Sequence, residues 1–121
     1  VDIFILGGKY NRKEHCLGGG IAEQVLKGLS LDIVFMGADA VDENGRVFAM
    51  DLEIAELDSG MIWCGKKKIL LADHTKVKAD GRASFADFSE FDLWITTKGI
   101  ESGLVKKVKS ITTVVEADLG K

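Results

Sequence analysis

The sequence contains no proline, whereas 121 residues of ordinary composition would hold about six. Glycine is in excess, with 14 residues. Because glycine adopts backbone conformations that are closed to other residues, we expect it to form the turns that proline would otherwise help to define.

Cysteine is scarce, and long apolar runs are missing. Cys16 and Cys64 lie in unlike contexts without a Cys-x-x-Cys or Cys/His spacing, which argues against a disulfide framework and against a zinc site. The longest apolar stretches, 33–36 and 69–72, are far shorter than the roughly 18 residues that a membrane span requires. We therefore expect a reduced, cytoplasmic protein with no membrane contact, metal or cofactor.

A basic excess is also missing, since 16 Lys and Arg residues face 19 Asp and Glu residues, for a net charge of −3. Domains that bind nucleic acid usually carry a basic excess, because they displace counterions from phosphates. We expect this stretch by itself to be a poor DNA binder.

The sequence begins at Val1 with neither a Met nor a leader pattern, so we also expect a fragment of a longer protein.

Five short runs rich in Val, Ile, Leu and Phe predict β-strands. They show no alternation of apolar and polar residues, which is typical of parallel strands whose two faces are both covered by helices. The predicted strands are 2–6, 32–36, 68–72, 92–96 and 112–116.

Apolar residues at helical spacing lie between these runs and predict helices within 21–29, 52–62 and 100–108. The alternation of strands and helices predicts an α/β domain with a mostly parallel sheet flanked by helices. Residues 76–89 are polar and show no clear period, so we expect a mobile loop there.

Ligands of open α/β sheets bind at the carboxyl ends of the strands, so the residues that follow each predicted strand are candidates for a site. Gly7 and Gly8 follow the first strand, and Gly19 opens the first helix. Backbone N–H groups at such glycines and at a helix N-terminus can cradle a phosphate. Tight turns and a simple helix start explain the same glycines, so both interpretations stay open.

Carboxylates follow the second strand, where Gly37 and Ala38 lead into Asp39 and Asp42. Ionised carboxylates accept hydrogen bonds from sugar hydroxyls, which makes Asp39 a candidate ligand-binding residue as well as a candidate turn cap. Asp42 precedes an Asn-Gly turn sequence, and we expect it to stabilise that turn.

Asp73, His74 and Lys76 follow the third strand. Lys76 could bind a phosphate as a point charge, and Asp73 could hold Lys76 or a sugar hydroxyl. His74 could act as a general base, but a second nearby histidine, a nucleophile elbow and a metal-binding helix motif are all missing from the sequence. The sequence therefore does not require catalysis.

Together these motifs resemble the C-terminal sensor domain of DeoR-type bacterial transcriptional regulators. The likeness spans nearly the whole chain, and its most specific parts are Phe-Met-Gly-Ala-Asp at 35–39 and Leu-Ala-Asp-His-Thr-Lys at 71–76. The resemblance implies a fold similar to ribose-5-phosphate isomerases and CoA transferases. It also implies a winged helix-turn-helix that binds operator DNA in the intact protein, and a phosphorylated sugar or related metabolite as effector. Because operators are commonly read by symmetric dimers, we expect a homo-oligomer.

The chain departs from this family in two respects. The early strands of the family's sensor domain, with a Gly-Thr-Thr phosphate loop and a Thr-Asn pair, have no counterpart here, and neither does the DNA-binding domain. In the second helix, Asp58 and Ser59 stand where the family usually has basic residues, which argues against a contact from this helix to an anionic ligand. The effector-binding residues that the resemblance implies are Gly7, Gly8, Gly19, Gly37, Ala38, Asp39, Asp73 and Lys76.

Two alternative functions stay open at this point. Residues 37–42 and 72–76 also resemble two motifs of ribose-5-phosphate isomerases, in which acids would move protons between adjacent carbons. The glycine-rich run and catalytic Glu of those enzymes are not found after Gly45, so we prefer a sensor. The other alternative is a non-catalytic interaction module that binds no small ligand.

Overall fold

The described part of the chain forms two β-sheets, a β-hairpin and three α-helices. The computed structural model describes residues 1–118 and residue 120. In chain order the elements are β1 (Lys9–Asn11), β2 (Cys16–Gly18), α1 (Gly19–Lys27), β3 (Leu31–Met36), β4 (Ala40–Val41), β5 (Arg46–Ala49), α2 (Leu52–Cys64), β6 (Gly65–Leu71), β7 (Ala83–Asp87), β8 (Leu93–Thr97), α3 (Ser102–Lys109) and β9 (Thr113–Ala117).

The main sheet consists of four parallel strands in the order β3-β6-β8-β9. Four of the five predicted strands and all three predicted helices are confirmed, as is the α/β class with a mostly parallel sheet. Each new strand is added on the same side of the one before it. Right-handed crossovers therefore place the connecting segments on one face of the sheet.

That covered face carries the core of the molecule. Val34, Met36, Leu70 and Trp94 point towards it and are all nearly inaccessible to solvent. They pack in one cluster with apolar residues of α2 and α3 and of the smaller sheet. Trp94 also donates a hydrogen bond from Nε1 to the carbonyl oxygen of Ala72 at 2.9 Å.

The opposite face of the main sheet is largely open, so the expectation of helices on both faces is wrong for the described residues. Ile33 and Phe35 on β3 are 49% and 59% exposed, and Leu71 on β6 is 46% exposed. Ile69 of β6 is the register partner of Phe35 and lies two residues before Leu71, on the same face. It is buried, but it is not part of the main core cluster. These strands therefore have a second apolar face, most of which the described residues leave uncovered.

The first predicted strand, 2–6, is not formed. Ile3, Phe4 and Ile5 are highly exposed, and no strand among residues 1–118 pairs with this segment. An apolar, β-branched sequence becomes a strand only when a neighbour satisfies its backbone N–H and C=O groups.

The stretch 76–89, predicted as a mobile loop, contains a strand of a second sheet. β7 pairs antiparallel with β5, which pairs antiparallel with β4. Phe85, Phe88 and Phe91 are buried in or beside this segment. The prediction failed because the strand forms by pairing with a distant segment and shows no period of its own.

The long helix α2 positions one wall of the site described below. It begins with Asp51 as N-cap, whose carboxylate accepts a hydrogen bond from the Ile54 N–H at 2.9 Å. It ends at Cys64, and Gly65 begins β6 directly. A Cβ atom at Gly65 would lie 2.6 Å from Cγ2 of Val34, so only glycine allows this junction. Trp63 on this helix is 89% exposed.

Candidate functional site

The first glycine-rich motif forms the base of a β-hairpin where the hairpin meets α1. β1 and β2 pair antiparallel, and the Asn11 side chain closes their turn by accepting hydrogen bonds from two backbone N–H groups. Gly8 has φ +95°, and a Cβ atom there would lie 2.5 Å from the carbonyl oxygen of Gly18. Gly8 therefore serves a close approach of two backbone segments, while Gly7 and Gly19 also have positive φ angles.

A cavity of about 300 Å³ lies at the carboxyl ends of β3 and β6. Gly37, Ala38 and Asp39 line it directly after β3, and Lys76 lines it from the 3₁₀ turn that follows β6. Because β3 and β6 are parallel neighbours, residues that are far apart in sequence meet at one edge of the sheet. The structure thus brings together four of the eight predicted effector-binding residues.

The other four predicted residues do not line this cavity. Gly7, Gly8 and Gly19 lie at the hairpin and the start of α1, and Asp73 precedes the turn that carries Lys76. Their role in effector binding stays a prediction.

Six further residues line the cavity and were not predicted as binding residues. Asp58 and Ile54 come from α2, one helical turn apart, so they share one face of that helix. Glu14 and Cys16 come from the hairpin, and Ala49 and Met50 come from the end of β5 and the residue after it. One signal in the sequence could have identified Asp58: it occupies the middle of an apolar stripe that includes Ile54 and Ile62.

Asp39 is held by its backbone and leaves its carboxylate available. Its N–H donates to the carbonyl oxygen of Phe48 at 2.8 Å, which ties the end of β3 to β5. Within residues 1–118, its side chain forms neither an ion pair nor a turn-capping hydrogen bond. The turn-cap interpretation is therefore not supported among these residues, and the role of Asp39 in effector binding stays a prediction.

Asp42 has the turn-stabilising role that the sequence predicted. Its carboxylate accepts hydrogen bonds from the N–H groups of Asn44 and Arg46 and from the Arg46 side chain, at 2.9 to 3.0 Å. Burial alone would raise the pKa of Asp42, but the hydrogen bonds and positive charge of Arg46 hold it below its ordinary value. Asp42 therefore fixes the hairpin between β4 and β5.

Asp73 organises the turn that presents Lys76. Its carboxylate accepts hydrogen bonds from the hydroxyl and the N–H of Thr75, and these bonds lower the pKa of Asp73. The Lys76 N–H donates to the Asp73 carbonyl oxygen at 3.1 Å. His74 is engaged elsewhere, because both its N–H and Nδ1 contact the hydroxyl of Thr97. Asp73 thus shapes the cavity wall through Lys76.

Asp58 is the most perturbed acid that lines the cavity. Burial raises its pKa from 3.8 to about 6. Burial also raises the pKa of the Cys16 thiol, and the negative charges of Glu14 and Asp58 add to this effect. A raised pKa leaves less of the thiol ionised at neutral pH, which is the opposite of what an activated cysteine nucleophile requires.

The described residues contain neither a metal-ligand cluster nor a membrane-spanning helix. No group of three or more His, Cys, Asp or Glu side chains there is arranged to hold a metal ion. None of the helices described is both long enough and apolar enough to span a membrane.

Comparison with known proteins links this fold to one family. The family model described as the DeoR C terminal sensor domain matches residues 1–98. The match includes the hairpin, the cavity lining and the main sheet as far as β8.

Three relatives are transcriptional regulators by name. The chain is 26% identical over 116 residues to the HTH-type transcriptional regulator GlpR of Haloferax volcanii, covering 95% of this chain and 46% of the relative. It is 30% identical over 98 residues to the HTH-type transcriptional repressor GlcR of Bacillus subtilis, covering 81% of this chain and 38% of the relative. It is 27% identical over 100 residues to a putative aga operon transcriptional repressor of Escherichia coli O157:H7, covering 83% and 37%. The chain therefore spans less than half the length of each of these relatives.

Proposed function

Because this chain belongs to the family of DeoR C-terminal sensor domains, we propose that its complete protein is a transcriptional regulator whose DNA affinity changes when a phosphorylated sugar or a related metabolite binds in the cavity beside Lys76. The chain itself is a sensor domain and not an enzyme, so the isomerase alternative is set aside.

The observation that carries the proposal is the convergence of Lys76 and Asp39 on one cavity at the carboxyl ends of two parallel strands. A lysine ammonium attracts a phosphate, and a free carboxylate accepts hydrogen bonds from hydroxyl groups. A phosphorylated polyol carries both kinds of group. The volume of about 300 Å³ lies at the lower end of the range of small-molecule sites.

Operator binding belongs to a domain outside these 121 residues in our proposal. The net charge of −3 gives this stretch no electrostatic attraction to DNA. Two of the relatives are named HTH-type regulators, and the chain spans less than half of each. We place the complete protein in the cytoplasm as a homo-oligomer that reads a symmetric operator.

A ligand changes such a regulator only by binding its DNA-competent and DNA-incompetent forms with different affinity. A tenfold change in operator affinity requires a difference of about 1.4 kcal/mol between the two forms. The loss of one charged contact in the cavity is of that order.

A thermal-shift screen of the complete protein against sugar phosphates tests the proposal. We expect one or more of them to raise the melting temperature, because a ligand that binds only the folded state stabilises it. Lys76→Ala and Asp39→Ala should abolish the shift. Lys78→Ala and Asp80→Ala are the matched controls, since both side chains are exposed and neither lines the cavity.

Three outcomes separate the alternatives. A shift lost in the two cavity variants and kept in the two controls supports the sensor. The absence of a shift with every sugar phosphate favours an interaction module. A shift that survives Lys76→Ala places the ligand elsewhere and overturns the proposal.

A further inference from the structure

The cavity beside Lys76 carries more negative than positive charge. Glu14, Asp39 and Asp58 contribute three carboxylates to its lining, whereas Lys76 contributes the one ammonium group among the described lining residues. A site built mainly to attract phosphate would gather several cationic groups, because each adds a favourable charge-assisted hydrogen bond. The lining of this cavity can neutralise one anionic group, at Lys76.

Asp58 differs from the other two acids in its position. It lies in the middle of α2, four residues after Ile54 and four before Ile62, so its side chain belongs to the inward stripe of the helix. Ile62 is buried, and Ile54 lines the cavity with Asp58. A carboxylate at such a place loses hydration without gaining an apolar contact. Its position costs stability unless something binds it.

Among the described residues, Asp58 has no compensating partner. Within residues 1–118, no hydrogen bond or ion pair to its carboxylate is found, and burial is the sole cause of its raised pKa. Charged or titratable groups from three other segments share its cavity: Glu14 and Cys16 from the hairpin, Asp39 after β3, and Lys76 after β6. Two of these four groups are carboxylates, and the Cys16 thiol, whose pKa is raised, remains neutral near pH 7. The surroundings therefore do not relieve the cost of burying this acid.

We infer that Asp58 determines which effectors fit the cavity: it accepts a hydrogen bond from a hydroxyl or amino group of the effector and repels anionic groups from the α2 side. The inference rests on the proposed function and refines it. The effector carries its one anionic group at Lys76 and hydrogen-bond donors at the end that faces α2. Sugars with a second phosphate or a carboxylate at that end are excluded by charge.

The test measures two probes with opposite expected responses. The first is inorganic sulfate, a dianion that does not titrate between pH 5 and 8. The second is whichever of glucose 6-phosphate, fructose 1-phosphate and glycerol 3-phosphate stabilises the complete protein most. Affinities are measured by calorimetry for the complete wild-type protein, Asp58→Ala, the near-isosteric Asp58→Asn, and the exposed-carboxylate control Asp80→Asn.

At pH 7.5 we expect Asp58→Ala and Asp58→Asn to bind sulfate about tenfold more tightly, because one of the repelling charges is gone. We expect Asp58→Ala to bind the sugar phosphate about tenfold more weakly, because the acceptor for its hydroxyl groups is lost. The gain in sulfate affinity should shrink at pH 5, where Asp58 of the wild type is already protonated. Asp80→Asn should change neither affinity.

Two results would overturn the inference while leaving the proposed function intact. One is a change of both affinities in the same direction, which would show a general effect on the charge or shape of the cavity. The other is unchanged affinities in both Asp58 variants. If no sugar phosphate binds the wild type, the proposed function fails together with the effector side of the inference, and the sulfate measurement still decides whether Asp58 repels anions.

Discussion

The two faces of the four-stranded sheet are made from residues of the same kind, yet their surroundings differ completely. Val34 and Trp94 on one face are packed under α2, α3 and the smaller sheet. Ile33 and Phe35, which alternate with Val34 along β3, are about half exposed on the other face. The apolar sequence of a strand thus predicts that it belongs to the central sheet. The direction of the crossover connections determines which face of that sheet is buried within this chain.

The largest expected effect lies at the centre of the covered face. Trp94→Ala removes a fully buried ring that packs at a tilt against Phe88, with a centroid distance of 4.9 Å, and donates a hydrogen bond to Ala72. We expect the free energy of unfolding to fall by about 3–5 kcal/mol, as measured by urea denaturation. A loss below about 1 kcal/mol would show that this face is far less tightly packed than its burial indicates.

The second effect comes from α2, the helix that covers this face and also lines the cavity. The folded pKa of Asp58, about 6, lies above its ordinary value of 3.8, so the folded state binds the proton more tightly than the unfolded state does. Stability from this group is therefore complete below about pH 4 and is lost as the pH rises through 6. We expect Asp58→Asn to raise the free energy of unfolding by about 2 kcal/mol at pH 7.5 and to leave it nearly unchanged at pH 4.

Denaturation curves of wild type and Asp58→Asn across this pH range provide the measurement. Asp80→Asn serves as the control, because its carboxylate is exposed and should show no such pH dependence. An equal gain at both pH values would mean that the variant acts through packing and not through charge.

A smaller gain is expected at Thr96, which lies two residues after Trp94 on the covered face. Its hydroxyl is buried and has no hydrogen-bond partner among the described residues. Thr96→Val replaces the hydroxyl by a methyl group of similar size, so we expect about 1 kcal/mol of added stability in thermal or urea unfolding. Thr96→Ser, which keeps the hydroxyl and loses the methyl group, should be destabilising instead.

The smallest effect is expected on the open face. Phe35→Ala in the 121-residue chain should change the free energy of unfolding by less than about 0.5 kcal/mol, because the ring is 59% exposed. The same substitution in the complete protein shows whether another segment covers this face. A loss of several kcal/mol there would reveal such a cover and would remove the contrast between the two faces.

Much of the fold was predictable because strands that are buried centrally in a parallel sheet have a continuous apolar sequence. The same rule failed for residues 2–6, since the sequence reports the apolar character of a segment and not the presence of a partner strand. It also missed β5 and β7, which are short and are held by pairing between distant segments.

The candidate site was partly predictable for a similar reason. Asp39 and Lys76 follow strands, and the carboxyl ends of parallel strands meet at one edge, so their convergence could be anticipated. Asp58 and Glu14 come from the middle of a helix and from a hairpin, where position relative to a strand gives no guidance. Asp58 stood out only as a departure from a family pattern and as an acid within an apolar stripe.

The direct junction of α2 and β6 at Gly65 links the rotation of the helix to the alternation of the strand. One inserted residue on the helix side would turn everything before it by about 100°, which swings Ile54 and Asp58 out of the cavity. One inserted residue on the strand side would exchange the two faces of β6 and send Leu70 outward while Leu71 turns inward. The rotation of α2 and the face orientation of β6 therefore cannot change independently. The junction determines both which α2 residues line the cavity and which β6 residues enter the core.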